Sequence, residues 1–361
     1  MPEPRCHSKR KTSCRGCLSS KWNCIYWIQR YDNREKNSIM VTIQTSHPCI
    51  LTDSREAVVV SEKDRYGKPL RNVICRESGL VFVDPRPSHR EVEKFYTESY
   101  RKQYKGTEVP DARHVYRAGK VALRRMALLG KYLEPGSRVL DVGSGGGEML
   151  YLLRNRGYEA YGIEPNVGYA EHAIAEYGAQ IQVGFSGDAA FAPGYFDAIC
   201  LFHILEHLEN PLEEIRSLMA LLKPGGMFFV RVPNVEFNHC YPSTKWHVGH
   251  LYNFNVVTLT ATFDKVGLTP LAVNAPTDGG TLFGVFQKGD APAKPVGLDG
   301  NFEKVLGKLR AHTVPRYLSS LHPYIRVFRK VARNLGESLA IRKASGSRQL
   351  LDGLYGKTSV E

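Results

Sequence analysis

The 361-residue sequence lacks an apolar run long enough to cross a membrane as a helix, which takes about 20 residues. Its most apolar stretch, residues 195–208, is interrupted by Asp197, His203 and Glu206. The basic N-terminus has only the short apolar run 24–28, with no small-residue cleavage site behind it, so it lacks the core of a signal peptide. These absences predict a soluble protein of the cytoplasm.

Cysteine is also sparse. Eight cysteines in a chain of 361 residues are too few for a disulfide scaffold. Four of them lie near the start, where Cys14 and Cys17 have the Cys-x-x-Cys spacing of a zinc site. No second such pair follows, so we predict a disordered basic extension over residues 1–39, with a small zinc site as the alternative. Sequence of globular character begins only at Met40, which is an alternative start.

Acidic residues are also fewer than basic ones, and the formal net charge is +13. Residues 1–39 hold 9 basic and 3 acidic residues, and residues 290–361 hold 13 and 6. The central residues 40–289 hold 27 of each sign, so the excess belongs to the two ends. A basic protein normally suggests nucleic acid or an anionic membrane as partner, but the neutral centre and the lack of an RNA-binding motif argue against nucleic acid.

Strand-like and helix-like segments alternate regularly from about residue 137 to residue 233. This alternation is typical of a doubly wound α/β sheet, whose ligand cleft lies at the carboxyl ends of the strands. Short strands are predicted before it, between residues 40 and 88. An aromatic-rich helix should follow these strands and contain Phe95, Tyr96, Tyr100 and Tyr104. These side chains could form a lid over the substrate, or they could simply pack in the core.

The first strand of this alternation runs into a glycine loop that opens a helix, with Gly143 and Gly145 in the loop and Asp141 at the end of the strand. Such a loop lets the backbone approach either a dinucleotide or S-adenosylmethionine. Asp141 favours the second ligand, because a carboxylate there would repel a pyrophosphate but attract an ammonium or a sulfonium. An oxidoreductase remains an alternative on fold alone.

Two further acidic residues follow the next two strands. Glu164 ends the second strand, at the spacing expected for a carboxylate that accepts hydrogen bonds from ribose hydroxyls. Asp188 follows the third strand and could accept from the exocyclic amine of an adenine. Three acidic residues at successive strand ends are hard to explain as solvated surface groups, so all three are predicted to contact the cofactor.

These motifs resemble the class I S-adenosylmethionine-dependent methyltransferases, in the small-molecule branch close to ubiquinone-type and polysaccharide-associated enzymes. The resemblance rests on VLDVGSGGGEML, YGIEP, GDAAFAPGYFDAICLFHILEHLENP and LLKPGGMFFVRVPN, in family order. It implies a doubly wound, seven-stranded Rossmann-like methyltransferase sheet with a small N-terminal ribbon-like β segment and a C-terminal helical extension. It also implies methyl transfer from S-adenosylmethionine to a small acceptor, such as a sugar or a lipid-linked or polysaccharide intermediate, and cofactor contacts at Gly143, Gly145, Ala189 and His203.

The resemblance divides the chain into the extension 1–39, a ribbon-like segment 40–88, the methyltransferase domain 89–289 and a basic helical extension 290–361. Many relatives carry two Cys-x-x-Cys pairs in the ribbon. Here the pairs are reduced to Cys49 with Thr52 and Cys75 with Ser78. Two thiolates cannot hold a tetrahedral structural zinc alone, so we expect a ribbon without metal.

Candidate bases for the acceptor follow the fourth and fifth strands, where the methyl group would emerge. His250 is the preferred base, and Glu206 and His207 are the other catalytic candidates. Some ubiquinone-type relatives use a similar cluster in catalysis or metal binding, whereas the alternative for Glu206 and His207 is a structural hydrogen bond. His247 and His250 have no nearby acid in the sequence, so no metal site is predicted.

The C-terminal extension contains an amphipathic, basic helix over residues 324–340. It could lie on an anionic membrane surface or pack its apolar face on its own domain. Two other functions stay open at this stage: a nucleic-acid-directed enzyme or binding protein that uses the basic ends, and a cofactor-binding protein without activity.

Overall fold

The computed structural model describes residues 42–88, 91, 109–276, 279–289, 295–342 and 344–356. Within these ranges, the side chains of residues 327, 328, 331 and 335 are not described. The predicted N-terminal extension and the aromatic-rich helix around Phe95 to Tyr104 lie outside the described residues.

The N-terminal segment forms most of a five-stranded antiparallel sheet. Its first four strands are β1 (Thr42–Gln44), β2 (Glu56–Lys63), β3 (Pro69–Cys75) and β4 (Val81–Val83). The fifth is a two-residue strand from much later in the chain, Tyr252–Asn253, in which Tyr252 pairs with Phe82. The predicted ribbon-like segment is therefore present, and it is tied to the rest of the molecule by backbone hydrogen bonds.

The main sheet has seven strands, as the motifs predicted. In chain order they are β5 (Arg138–Val142), β6 (Glu159–Glu164), β7 (Gln180–Val183), β8 (Phe196–Phe202), β9 (Leu222–Pro233), β11 (Leu268–Asn274) and β12 (Thr281–Lys288), with β10 the short strand Tyr252–Asn253. Their spatial order is β11, β12, β9, β8, β5, β6, β7, and β12 runs antiparallel to both of its neighbours. The carboxyl ends of β5, β6 and β8 meet at one edge because these strands are parallel.

Helices lie against this sheet and continue beyond it. Among the described residues they are α1 (Ala112–Leu129), α2 (Glu148–Asn155), α3 (Val167–Tyr177), α4 (Pro211–Leu221), α5 (Val256–Asp264), α6 (Asn301–Arg310), α7 (Val314–Leu318), α8 (His322–Ile341) and α9 (Ser347–Tyr355). Fully buried residues of the β strands form the core between the layers, among them Leu140, Ile199 and Val230. None of the described helices is long and apolar enough to span a membrane.

The two reduced cysteine pairs of the ribbon come together in space. The sulfur of Cys49 lies 3.2 Å from the hydroxyl of Ser78, and the hydroxyl of Thr52 lies 3.6 Å from the sulfur of Cys75. A side-chain hydrogen bond with Cys49 also lowers the pKa of Cys75. Each hydroxyl thus contacts the sulfur of the opposite pair, and the four side chains form one cluster that is buried except at Thr52.

The C-terminal helices pack on the main domain. Glu337 of α8 accepts two hydrogen bonds from the guanidinium of Arg117 on α1, at 2.8 and 2.7 Å. Tyr355 of α9 donates from its hydroxyl to the backbone oxygen of Glu148. The predicted helical extension is therefore present, while the exact domain boundaries at residues 39, 88 and 289 stay predictions.

Candidate functional site

A cavity of about 1300 Å³ opens at the carboxyl ends of the strands, where the fold predicts a ligand. The glycine loop forms one of its walls. Gly143 has a left-handed φ of 72°, and a β-carbon added there would lie 2.3 Å from the side chain of Ile204. Glycine suits this position because its left-handed backbone strains any other residue, and an added side chain would also have to displace Ile204.

Glu164 connects the glycine loop to the end of β6. Its carboxylate accepts hydrogen bonds from the backbone N–H of Gly145 at 2.8 Å and of Asn166 at 3.0 Å. The side chain is buried and lines the cavity. Each carboxylate oxygen has two lone pairs, so the loop is held in shape while the carboxylate can still accept from a ligand.

Asp141 does not line the cavity, although the sequence placed it among the cofactor contacts. The side chain is buried below the glycine loop, and this burial raises its pKa to about 6, against an opposing effect of the Arg125 guanidinium. Because Asp141 lies near the buried end of strand β5, its carboxylate cannot contact a ligand in the cavity. It can act on the ligand only through the electrostatic field of its negative charge.

Asp188 and Ala189 lie in and after the short 3₁₀-helix Ser186–Asp188. Asp188 lines the cavity, and one of its carboxylate oxygens accepts from the backbone N–H of Phe185 at 3.2 Å. Ala189 does not line the cavity and packs against the core instead. The structure therefore brings Gly143, Gly145, Glu164, Asp188 and His203 to one cavity, and leaves Asp141 and Ala189 off its wall.

Sequence analysis missed the cationic wall that α1 contributes. Arg113, Arg117, Val121 and Arg125 all line the cavity, and they recur at the four-residue spacing of one helix face. This spacing was the signal that could have found them. The guanidinium of Arg125 stacks over Phe202 at 4.3 Å, and its Nε is buried without a hydrogen bond among the described residues. Burial lowers the pKa of Arg125, so a ligand anion would restore favourable contacts there.

His203 lines the cavity and is paired with Glu206, which does not line it. The Nδ1 of His203 lies 3.1 Å from a carboxylate oxygen of Glu206, and His203 has a left-handed φ of 62°. Glu206 is buried, and its second oxygen has no hydrogen-bond partner among the described residues. His203 lines the cavity with a half-exposed side chain, so its other ring nitrogen is free to face a ligand.

His207 also lines the cavity, and its Nδ1 donates to the backbone oxygen of Gly249 at 2.6 Å. Burial lowers the pKa of His207, so the ring is neutral at neutral pH. His250, the base preferred from the sequence, is not on the cavity wall: its ring packs edge-on to His207 at 5.0 Å and stacks on His247 at 4.4 Å. Burial holds the pKa of His250 well below its usual range.

The fold also supplies the acid that the sequence did not place near His250. One ligand atom each from Glu206, His207 and His250 lies within 4.8 Å of the others, a spacing that a metal ion could bridge. The sequence could not show this, because His207 and His250 are 43 positions apart.

A family model described as "Methyltransferase domain" matches residues 112–273. A ubiquinone biosynthesis O-methyltransferase of Xanthomonas campestris pv. campestris (strain B100) is 36% identical over 106 residues, which cover 28% of this chain and 44% of that protein. The corresponding protein of Stutzerimonas stutzeri is 34% identical over 105 residues, or 27% of this chain and 45% of that one. The matches thus span less than half the length of these relatives.

Among solved structures, the 1,6-didemethyltoxoflavin-N1-methyltransferase of Burkholderia thailandensis is similar at 17% identity, with a TM-score of 0.44 and coverage of 60% of this chain and 98% of that one. The family match contains the glycine loop, the acidic strand ends and the histidine cluster. Residues 112–273 therefore match a methyltransferase domain, and they contain the parallel strands of the Rossmann-like sheet.

Proposed function

We propose that the protein transfers a methyl group from S-adenosylmethionine to a small hydroxylated acceptor, such as a sugar unit or a lipid-linked or polysaccharide intermediate. The observation that carries this proposal is the cavity itself. Glu164 and the glycine loop line one part of the cavity, and His203, which is paired with Glu206, lines another. The same space can therefore hold a cofactor and an acceptor that must lose a proton.

The described side chains fit this cofactor. Glu164 and Asp188 would accept from its hydroxyls and its adenine amine, and Arg125 would pair with its carboxylate. The Ser144 hydroxyl lines the cavity and is buried without a partner among the described residues, so it offers one more hydrogen bond. When bound, the cofactor supplies a methyl group on a positively charged sulfur, which activates the carbon for displacement.

We assign the role of base to His203 and not to His250. The Glu206 carboxylate accepts from Nδ1–H of His203, which fixes the tautomer and leaves Nε2 to take a proton from an acceptor hydroxyl. The carboxylate also stabilises the imidazolium that results. His207 places a neutral imidazole ring at the cavity, and the ring of His250 packs edge-on against it.

Peripheral contact with an anionic membrane through the C-terminal helix is part of this proposal. A lipid-linked acceptor would reach the enzyme at such a surface, and the basic charge of the chain is concentrated at its ends.

Calorimetric titration with S-adenosylmethionine and with NAD tests the cofactor. We expect micromolar binding of the first and none of the second, and binding of NAD alone would refute the proposal. Glu164→Gln should weaken binding about tenfold or more, since it removes charged hydrogen bonds. Glu159→Gln is the matched control, because Glu159 lies at the other end of β6, exposed and paired with Arg138. Incorporation of a radiolabelled methyl group into the lipid-soluble and water-soluble fractions of a cell extract then tests transfer.

A further inference from the structure

The arginines that α1 places in the cavity are more numerous than the proposed cofactor needs. Arg125 is assigned to the cofactor carboxylate, and its guanidinium is held over Phe202. Arg113 and Arg117 also line the cavity, on the first two turns of the same helix. At 1.5 Å per residue, Arg117 lies about 12 Å before Arg125 along the helix axis. A carboxylate held by Arg125 therefore leaves Arg113 and Arg117 to a second anion.

Glu337 of α8 fixes the guanidinium of Arg117. The buried carboxylate accepts from Nε at 2.8 Å and from Nη2 at 2.7 Å, which leaves Nη1 without a hydrogen bond among the described residues. The Arg117 side chain is still 47% exposed. A guanidinium whose orientation is fixed in advance loses less conformational freedom when it binds an oxyanion.

Two more arginines lie close to the same carboxylate. The Nε of Arg333, one turn before Glu337 on α8, is 3.6 Å from one of its oxygens. The hydrogen bond from Arg117 lowers the pKa of Glu337, and the charges of Arg117, Arg333 and Arg113 add to this shift. The other acid that acts on Arg117 is Asp111, the N-cap of α1. Three guanidiniums against two carboxylates leave a surplus of positive charge.

Helix α8 extends this positive charge along the face that packs on α1. Successive residues of a helix turn by about 100°, so Arg326 and Lys330 lie within about 20° of Glu337 around the axis. Both side chains are exposed. The side of α8 that turns toward Arg117 is therefore cationic over three helical turns.

The carboxylates that line the cavity lie mostly on other elements. Glu213 and Glu214 belong to the first turn of α4, which packs against the 3₁₀-helix that contains Asp188. Glu164 lies at the end of β6 and holds the glycine loop. The charge in the cavity is thus divided, and an acceptor that matches it carries its negative charge toward α1 and α8.

We infer that Arg113, Arg117 and Arg333 bind a phosphate group of the acceptor. Glu337 is the positioning residue that fixes Arg117. A phosphate matches the three guanidiniums better than a carboxylate does, since it presents three acceptor oxygens and up to two negative charges. The identification of this anion as part of the acceptor rests on the proposed methyltransferase function, whereas the anion site itself does not.

Calorimetric titration of pyrophosphate into the full-length protein, saturated with S-adenosylhomocysteine, tests the site. We expect a dissociation constant below about 1 mM, with acetate binding at least about tenfold more weakly. Arg113→Ala should weaken pyrophosphate binding by about tenfold. Arg117→Ala/Glu337→Gln should weaken it by at least as much, and this pair of changes leaves no buried charge without its partner. Arg124→Ala is the matched control, because Arg124 is exposed on α1 but does not line the cavity.

Transfer to a phosphorylated acceptor is tested in a cell extract with labelled S-adenosylmethionine. The extract is treated beforehand with alkaline phosphatase, or with an enzyme that cleaves diphosphates, and the enzyme is then removed. One of the two treatments should reduce methyl incorporation by about tenfold or more. The effective treatment shows whether the acceptor carries a phosphate monoester or a diphosphate.

Three results would overturn the inference: pyrophosphate that binds no more tightly than acetate, an equal loss of affinity in Arg124→Ala, or methyl incorporation that neither enzyme reduces. Binding of S-adenosylmethionine separates this inference from the proposed function. If S-adenosylmethionine binds and pyrophosphate does not, the anion site is wrong and the proposed function stands. If pyrophosphate binds and S-adenosylmethionine does not, the proposed function fails, and the assignment of the anion to an acceptor fails with it.

Discussion

His203 and Glu206 are joined by a 3.1 Å contact between the imidazole Nδ1 and a carboxylate oxygen. His203 reaches this position in the left-handed backbone conformation, with φ of 62°, at the point where β8 ends. A histidine in that conformation costs about 1 kcal/mol or more, and such strain is kept where the surrounding structure requires the side chain's position. The contact fixes which ring nitrogen carries the hydrogen, and it leaves the other nitrogen toward the cavity.

The first prediction concerns this pair. His203→Asn removes the base and should slow methyl transfer by about 10² to 10⁴-fold, with cofactor affinity changed less than threefold. Glu206→Gln keeps the shape but cannot orient the same tautomer, and should lower the rate by tenfold or more while shifting the pH profile. The measurement is the single-turnover rate of labelled methyl transfer at several pH values.

His250→Asn serves as the comparison for this first prediction. Its ring lies behind His207, so the substitution should cost less than tenfold. If His250→Asn were the most damaging of the three variants, His250 would be the base after all.

The second prediction concerns metal ions. In the proposed mechanism the Glu206 carboxylate accepts a hydrogen bond from His203. A metal ion bound between Glu206, His207 and His250 would compete with His203 for this carboxylate. Chelation with EDTA should therefore leave the transfer rate unchanged, and added Zn²⁺ should inhibit. Loss of activity on chelation, with recovery on adding a divalent ion, would show instead that the cluster is a metal site.

The third prediction concerns Asp141, whose pKa burial raises to about 6. The folded state holds this proton more tightly than the unfolded state, so stability should fall as the pH rises from about 4 to about 6, by on the order of 3 kcal/mol. Asp141→Asn should remove this pH dependence and be more stable than the wild type at pH 7. Denaturant unfolding at pH 4 to 8 measures both effects.

The same ionisation should appear in cofactor binding. Above pH 6 the Asp141 carboxylate is charged and attracts the positive groups of S-adenosylmethionine, so the affinity of the wild type should rise between pH 5 and pH 7. Asp141→Asn should bind more weakly at pH 7 and show no such rise. An unchanged affinity in the variant at pH 7 would mean that Asp141 has only a structural role.

The sequence predicted the fold because local patterns decide it. The glycine loop, the acidic strand ends and the alternation of strands with helices all depend on residues close together in the chain, and the structure has them as expected. The sequence could not predict with the same accuracy which residues line the candidate site. His250 meets His207 because long-range contacts hold its loop against the end of β8: Tyr252–Asn253 pairs with β4, and the backbone N–H of Leu251 donates to the backbone oxygen of Glu206.

The C-terminal helix shows the same limit. Its periodicity predicted an amphipathic helix, and α8 is one. Periodicity cannot show which face packs on the protein, since that depends on contacts between residues far apart in the chain, such as Glu337 and Arg117, which are 220 positions apart.

The last prediction concerns the cluster in the ribbon, where Cys49 and Cys75 each contact a hydroxyl of the opposite pair. Thr52 and Ser78 occupy the positions of the two missing thiols, so Thr52→Cys/Ser78→Cys completes two Cys-x-x-Cys pairs with side chains that already converge.

We expect the double variant to bind one equivalent of zinc tightly when purified, and the wild type and both single variants to bind none. Zinc should raise the unfolding temperature of the double variant, and a chelator should reverse this rise, because metal bound only in the folded state stabilises it. The variant Thr45→Cys/Ser54→Cys is the control, since it adds two thiols to the same segment outside the cluster. A full equivalent of zinc in the wild type would mean that the two thiols and two hydroxyls already form a metal site, and the ribbon would then be metal-dependent.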